Sequence, residues 1–377
     1  MTSIGGAEMV DWNLAVATAI RFVRPGPEVS KDEARRVVAE LRRHAKASEE
    51  HVRGFTRMIP EGHEPEDTPV LVVDRAGWIK ANVAGFRQLL TPLLGRMQER
   101  RGGGPTGAVL GAVGGKVTGV ELGMLLSFLA SRVLGQYETF APASRELPAG
   151  PDGGGRLLLV APNIVHVERE LEVDPHDFRL WVALHEETHR TQFTGVPWLR
   201  DHLEGEIQSF LGETDVDPMT FLERLREAAQ SLAGARPEGE VGDDSGRSLV
   251  ELVQTPAQRE ILGRLTAVMS LLEGHADYVM DGVGPDVVPS VAEIREKFQQ
   301  RRARGAGRLD LALRKLLGLD AKLRQYRDGE RFVRAVVDEV GMDGFNRVWT
   351  SPNTLPTKAE ISKPADWVAR VHRRADG

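Results

Sequence analysis

The stretch Trp181-Val-Ala-Leu-His-Glu-Glu-Thr-His189 decides how this chain is read. His185, Glu186 and His189 form the pattern His-Glu-x-x-His. On a helix, residues i and i+4 stand one above the other, so two imidazoles can meet one zinc ion. Glu186 lies about 100° further round, able to reach a metal-coordinated water without being a ligand. Zinc lowers the pKa of such a water to about 7, so a carboxylate base can take its proton near neutrality. The flanks supply the helix that this chemistry needs. Asp174-Pro175 reads as an N-cap with proline in the first turn, and Gly195 reads as the stop. The spacing predicts a helix through Trp181, Leu184, His185 and Thr188 to about Phe193.

A catalytic zinc site takes three protein ligands and keeps one position open. The chain has no cysteine, so the third ligand must be His, Asp or Glu. Leu271-Leu-Glu-Gly-His-Ala-Asp277 places acidic and polar residues inside an otherwise apolar helix. That helix starts at Thr255-Pro256, carries Ile261, Leu265, Val268, Leu272 and Val279, and ends at Gly282, Gly284 and Pro285. Glu273 and Asp277 are again i and i+4. Glu273 is expected to bind the metal, and Asp277 to accept the N–H of a ligating histidine and fix its tautomer. His275, on another face, is the alternative ligand. Tyr278 and Tyr137 are candidate donors to an oxyanion, and His202 a candidate proton donor. The roles of Arg190 and Gln192 and the facing of Glu187 are open.

Working outward, the chain has 377 residues, 41% hydrophobic and 28% charged, the balance of a soluble globular protein. The net charge of -6 disfavours a non-specific nucleic-acid binder, and Arg301-Arg-Ala-Arg304 lacks interleaved aromatics. Val10, Leu14, Val16, Ile20 and Val23 form one stripe of a packing helix ended by Pro25, not a leader segment. Gly107, Gly111, Gly115, Gly119 and Gly123 recur every four residues, a row along which another backbone can approach closely. Lys116 and Glu121 interrupt that stretch, so no membrane span is expected. GAVGGKVTG fails as a phosphate loop, because Leu110 and Val117 occupy places that need Gly and Ser or Thr.

Asp32–Arg57, with Val37, Val38 and Leu41 inward, and Asp74–Arg100 have helical spacing. Pro60–Pro69 and Ala233–Ser248 read as loops. Leu157–Ala161 and Ile164–Glu168 flank Pro162-Asn163 and read as a β-hairpin, with His166 at its rim. The remainder from Val291 is helical, with breaks near Gly341–Gly344 and Pro352–Pro364.

With HEETHRTQF, PWLRDHL, LEGHADYVMDG and VLGQYE, the chain resembles the zincin-like metallopeptidase type 2 family. These bacterial proteins are described as hydrolases or linked to deazaflavin-coenzyme biosynthesis. The resemblance runs from about Gly107 to Gly284. It implies a mainly α zincin-like architecture, with a small β-hairpin or sheet next to the motif helix, and a Zn²⁺ cofactor. Glu273-x-x-x-Asp277 is similar to the glutamate-ligand pattern of zincins, although the gap from His189 is longer than in compact members. The zincin sheet edge can pair with an extended peptide.

The expectation is therefore a zinc-dependent hydrolase acting on a peptide or protein. His185, His189 and Glu273 hold the metal, and Glu186 is the base. The alternative is a catalytically silent binding or scaffold protein with a structural zinc. The expected organisation is an N-terminal helical region 1–100, a metal-binding core 101–290 and a C-terminal helical region 291–377, packed as one unit. The expected location is cytoplasmic, with no nucleic-acid partner; the oligomeric state is open.

Overall fold

The computed structural model describes residues 10–58, 68–100, 105–140, 142–144, 147–150, 155–212, 256–303 and 319–372. The loop expected at Ala233–Ser248, residues 60–67 of the loop expected at Pro60–Pro69, and Arg304 lie outside them. The chain is mainly helical, with a small three-stranded mixed sheet. It divides into two compact units. The first takes in residues to Arg43 and Glu66–Glu170; the second takes in His44–Pro65, Leu171–Asp215 and the chain from Gln230.

In the first unit, the run Arg156–Val160 is buried at every position and forms β3. A strand covered on both faces shows no alternation of polar and apolar residues. It pairs parallel with β1 (Val70–Val73) and antiparallel with β2 (Gly135–Glu138), in the order β1-β3-β2. A small sheet is thus present, but the hairpin expected at Leu157–Glu168 is not. Ala161–Leu171 is a helix, α5. Asn163, Ile164, Val165, Val167, Glu168 and Leu171 are its buried positions, and Asn163 donates to the Ala130 and Val133 carbonyls. His166 is accordingly exposed on a helix rather than set in a strand. Both partners of β3 come from distant sequence, which a local reading does not reach.

The glycine row works as expected where its surroundings are described. In α4 (Pro105–Ala130), a Cβ on Gly119 would stand 2.6 Å from the Asp11 carbonyl oxygen, and one on Gly123 2.7 Å from that of Ala15. The close partner is α1 (Trp12–Phe22). Its buried face is Trp12, Ala15, Thr18 and Ala19, while Ile20 is exposed. Of the stripe expected from Val10, Leu14, Val16, Ile20 and Val23, Val10 is buried in the core and Val16 and Val23 pack against it, while Ile20 faces outward. The core of this unit joins Trp12, Ala19, Trp78, Ile79, Leu126, Leu158 and Val160. Among the described residues, no helix is long and apolar enough to cross a membrane.

The division between the units falls within α2 (Lys31–Thr56), after Arg43. α3 spans Arg75–Arg100 in the first unit. The second unit holds α6 (Pro175–Gly195), α7 (Pro197–Gly212), α8 (Pro256–Gly282), α9 (Val291–Ala303) and α10 (Leu319–Phe345). The short α11 (Lys358–Ser362) and α12 (Pro364–His372) follow. α10 kinks at Gly341, which takes φ 72°. α8 packs against both α6 and α10. It meets α10 backbone to backbone: a Cβ on Gly274 would stand 2.6 Å from the Gly329 carbonyl oxygen and overlap the carbon behind it.

Candidate metal centre

α6 starts and stops where its caps require. Asp174 accepts the Asp177 N–H at 3.0 Å, Pro175 occupies the first turn, and the helix ends at Gly195. It is buried on most of its surface and carries many polar groups, which must find partners inside. Thr188 and Thr194 return their hydroxyls to the Leu184 and Arg190 carbonyls, each at 2.8 Å. Glu187 is settled by the same demand. Its carboxylate takes the Arg190 guanidinium at 2.9 Å, and Arg190 reaches Glu49 at 2.8 Å. Burial pushes the Glu187 carboxyl up to about 7, against the pull of Arg190.

His185 and His189 stack edge to face, with ring centroids 4.8 Å apart. Their Nε2 atoms are 3.2 Å apart. From α8, Glu273 places one carboxylate oxygen 3.7 Å from His185 Nε2 and the other 3.8 Å from His189 Nε2. Donor atoms of the three residues lie within 4.8 Å of one another. Four-coordinate zinc with N and O ligands requires donor separations of about 3.3 Å, so the group is near the needed size. The far side of each ring makes the case stronger. His189 Nδ1 faces Gln192 Oε1 at 2.9 Å. His185 Nδ1 faces the Met280 sulfur at 3.4 Å and Asp277 Oδ1 at 3.8 Å. Both Nδ1 atoms thus look onto acceptors, which favours a proton there and a lone pair on each Nε2. Two lone pairs and a carboxylate converging at these distances repel unless a cation lies among them. The residues present fit a zinc ion by the spacing and the chemistry of their donor atoms.

Glu186 is buried beside this group. Its carboxyl is pushed well above the ordinary carboxylate range, first by burial and then by the negative charge of Glu273. His275 is fully buried and does not join the three donors. Its Nδ1 meets Gln192 Nε2 at 3.0 Å, and its ring packs against Phe345 and Trp349. Burial, then the charge of His189, lowers its pKa to about 3. Asp277 places Oδ1 3.8 Å from His185 Nδ1. Tyr278 sets its ring 5.8 Å from Phe55 with the Arg334 guanidinium 5.3 Å away. Tyr137 belongs to β2, and the His202 ring is 5.9 Å from that of Trp198. Gln192 and Met280 gained no role from sequence. Gln192 had a usable signal: it is i+3 from His189, hence its neighbour on the helix surface.

The family model described as zincin-like metallopeptidase matches residues 10–368. Among solved structures, the chain is similar to one from Chloroflexus aurantiacus described as a candidate hydrolase with a novel fold. The identity is 31%, the TM-score 0.67, and the alignment covers 97% of this chain and 99% of that one. No curated protein matches.

Proposed function

The chain belongs to the zincin-like metallopeptidase family, and on that premise we propose that it is a zinc-dependent hydrolase that cleaves peptide bonds. The observation that carries the reading is the pair of Nε2 atoms 3.2 Å apart with acceptors behind both rings. His185, His189 and Glu273 would hold the ion. Zinc in this set supplies Lewis acidity, which acidifies a water and polarises a scissile carbonyl. Glu186, beside the ligands but not one of them, receives the proton of the attacking water on a carboxylate oxygen. It then releases that proton to the leaving amine nitrogen, so that one group serves as base and acid in turn. Burial of Glu186 keeps bulk water from competing for this proton.

Glu186→Gln tests the reading, because it preserves shape and removes the base. The variant is expected to keep stoichiometric zinc, measured by metal analysis after dialysis. It should lose peptide-library cleavage, read by mass spectrometry, by a factor of about 10² or more. A wild-type protein that takes up no zinc refutes the site. A wild-type protein that binds zinc and loses thermal stability on chelation, yet cleaves no peptide, points instead to the silent scaffold.

A further inference from the structure

We infer that Gln192 is the positioning residue of this centre: its amide fixes which nitrogen of His189 and of His275 carries the proton, and so turns a lone pair of His189 toward the metal. The inference rests on the zinc reading above and assigns a role to a residue outside the ligand set.

The chain of reasoning starts from one backbone carbonyl. Gln192 is fully buried, and its Nε2 lies 3.0 Å from the Leu272 carbonyl oxygen. A carbonyl can only accept, so the side-chain atom facing it must be the NH₂. The same NH₂ has a second proton, and the partner at 3.0 Å is His275 Nδ1. That nitrogen is therefore unprotonated, and the His275 proton sits on Nε2. The remaining Gln192 atom, Oε1, can only accept, and it faces His189 Nδ1 at 2.9 Å. His189 thus carries its proton on Nδ1. Its Nε2 is left with a lone pair, aimed where His185 Nε2 lies at 3.2 Å and Glu273 Oε1 at 3.8 Å.

A flipped amide undoes every link. Oε1 would then face the Leu272 oxygen, two acceptors in a buried space, and the NH₂ would face His189 Nδ1. The His189 proton would move to Nε2 and block it as a ligand. The Leu272 carbonyl is what makes the flip costly, because it can only accept, whereas His275 could move its proton to Nδ1 and donate. His275 Nε2 is buried without a hydrogen-bond partner among the described residues. An orphaned N–H is an unfavourable feature, and it follows here from keeping Nδ1 free for Gln192. Leu272 and His275 both belong to α8, as does Glu273. The helix that contributes the third ligand therefore also orients the ligand on α6.

The test uses the full-length, zinc-free protein with ¹⁵N-labelled histidine at about pH 8, where imidazoles are neutral. Long-range ¹H–¹⁵N correlation reads each tautomer, and titration with zinc alone, against a competing chelator, reads the dissociation constant. The wild type is expected to show His189 protonated on Nδ1 and His275 on Nε2. Gln192→Leu should mix the His189 tautomers and weaken zinc binding about 10- to 100-fold. Gln192→Glu keeps an acceptor for His189 and, protonated on its second oxygen, a donor for the Leu272 carbonyl, so the His189 proton should stay on Nδ1 and zinc binding within a few-fold. The inference is overturned by a wild-type His189 protonated on Nε2. It is equally overturned by Gln192→Leu with unchanged tautomers and zinc affinity, or by Gln192→Glu moving the His189 proton to Nε2. If the Leu variant does not fold, the wild-type and Glu spectra decide. Expected tautomers in a wild type that binds no zinc would sink the zinc reading and the metal half of this inference, leaving the proton assignment intact.

Discussion

Two glycines of α8 should respond oppositely to the same substitution. Gly274 and Gly263 both lie inside the helix, where alanine is favoured over glycine by about 1 kcal/mol from backbone entropy. At Gly263 an added Cβ meets nothing within 4 Å, so Gly263→Ala should stabilise by up to about that amount. At Gly274 the new Cβ would stand 2.6 Å from the Gly329 carbonyl oxygen and overlap backbone atoms of Gly329 and Glu330. Ordinary carbon contacts are about 3.5–4.0 Å, so α8 and α10 must part by roughly 1 Å or more. No side chain can rotate away, which places the overpacking near the upper end of its usual range, about 3 kcal/mol. Setting the propensity gain against it leaves about 2 kcal/mol of destabilisation. For a unit of this size that is a fall in Tm of about 4–8 °C, against a rise of about 2–4 °C for Gly263→Ala. Thermal and urea unfolding, followed by circular dichroism, read both. Glu273 adjoins Gly274, and ligand positions tolerate about 0.2 Å, so zinc affinity should fall about tenfold or more in the Gly274 variant and stay put in the other. If the two variants move together in stability, the close crossing of α8 and α10 is wrong.

Arg190→Leu should destabilise by about 3 kcal/mol, because it leaves the buried Glu187 carboxyl without its cation, while the half-buried Glu49 keeps Arg53; urea unfolding that shows less than about 1 kcal/mol would refute the buried pair. Glu360→Gln should cost about 1.5–3 kcal/mol near neutrality, the range for hydrogen bonds to charged groups. Burial raises the Glu360 carboxyl, but Arg370 at 2.6 Å and the Thr357 cap outweigh it, so its pKa in the folded chain lies below the ordinary range. A depressed acid contributes stability above its unfolded pKa of about 4.3, and that contribution fades as pH falls through the folded value. The gap in Tm between wild type and variant should therefore close in acid; a gap independent of pH from about 6 to 3 would refute the assignment.

The motif helix was legible because its signals are local: an N-cap, a proline, a glycine stop and two histidines one turn apart. The nearness of Glu273 to the two histidines had a different signal, an acid placed where an apolar helix had no solvent to offer it. The sheet was not legible. β1 and β2 are only four residues each and pair with β3 across about 80 and 20 positions of chain, so no local turn announces them. Ile164–Glu168 misled because apolar residues at 164, 165 and 167 satisfy a short strand pattern as well as a helical one, and length alone separates the two. Gln192 was hidden because its meaning depends on Leu272 and His275, which no sequence spacing connects to it.

Those cases share a cause, and it bears on how the centre is held. Glu273, the proposed third ligand, lies on a separate helix, so chain connectivity contributes almost nothing to its distance from the histidines. The register of α8 against its neighbours must do that work. Three contacts of different kinds bear on it. Gln192 ties α6 to the Leu272 carbonyl and to His275. Gly274 and Gly329 bring α8 and α10 into backbone contact, which leaves no side chain free to repack. Met280, one helical turn beyond the ligand segment, closes on His185 Nδ1. A polar bond fixes direction, a backbone contact fixes depth, and a thioether fills what remains. Losing any one of them should therefore loosen the metal before it unfolds the chain. The signature of such a loss is a zinc affinity that falls by a larger factor than the change in Tm would imply.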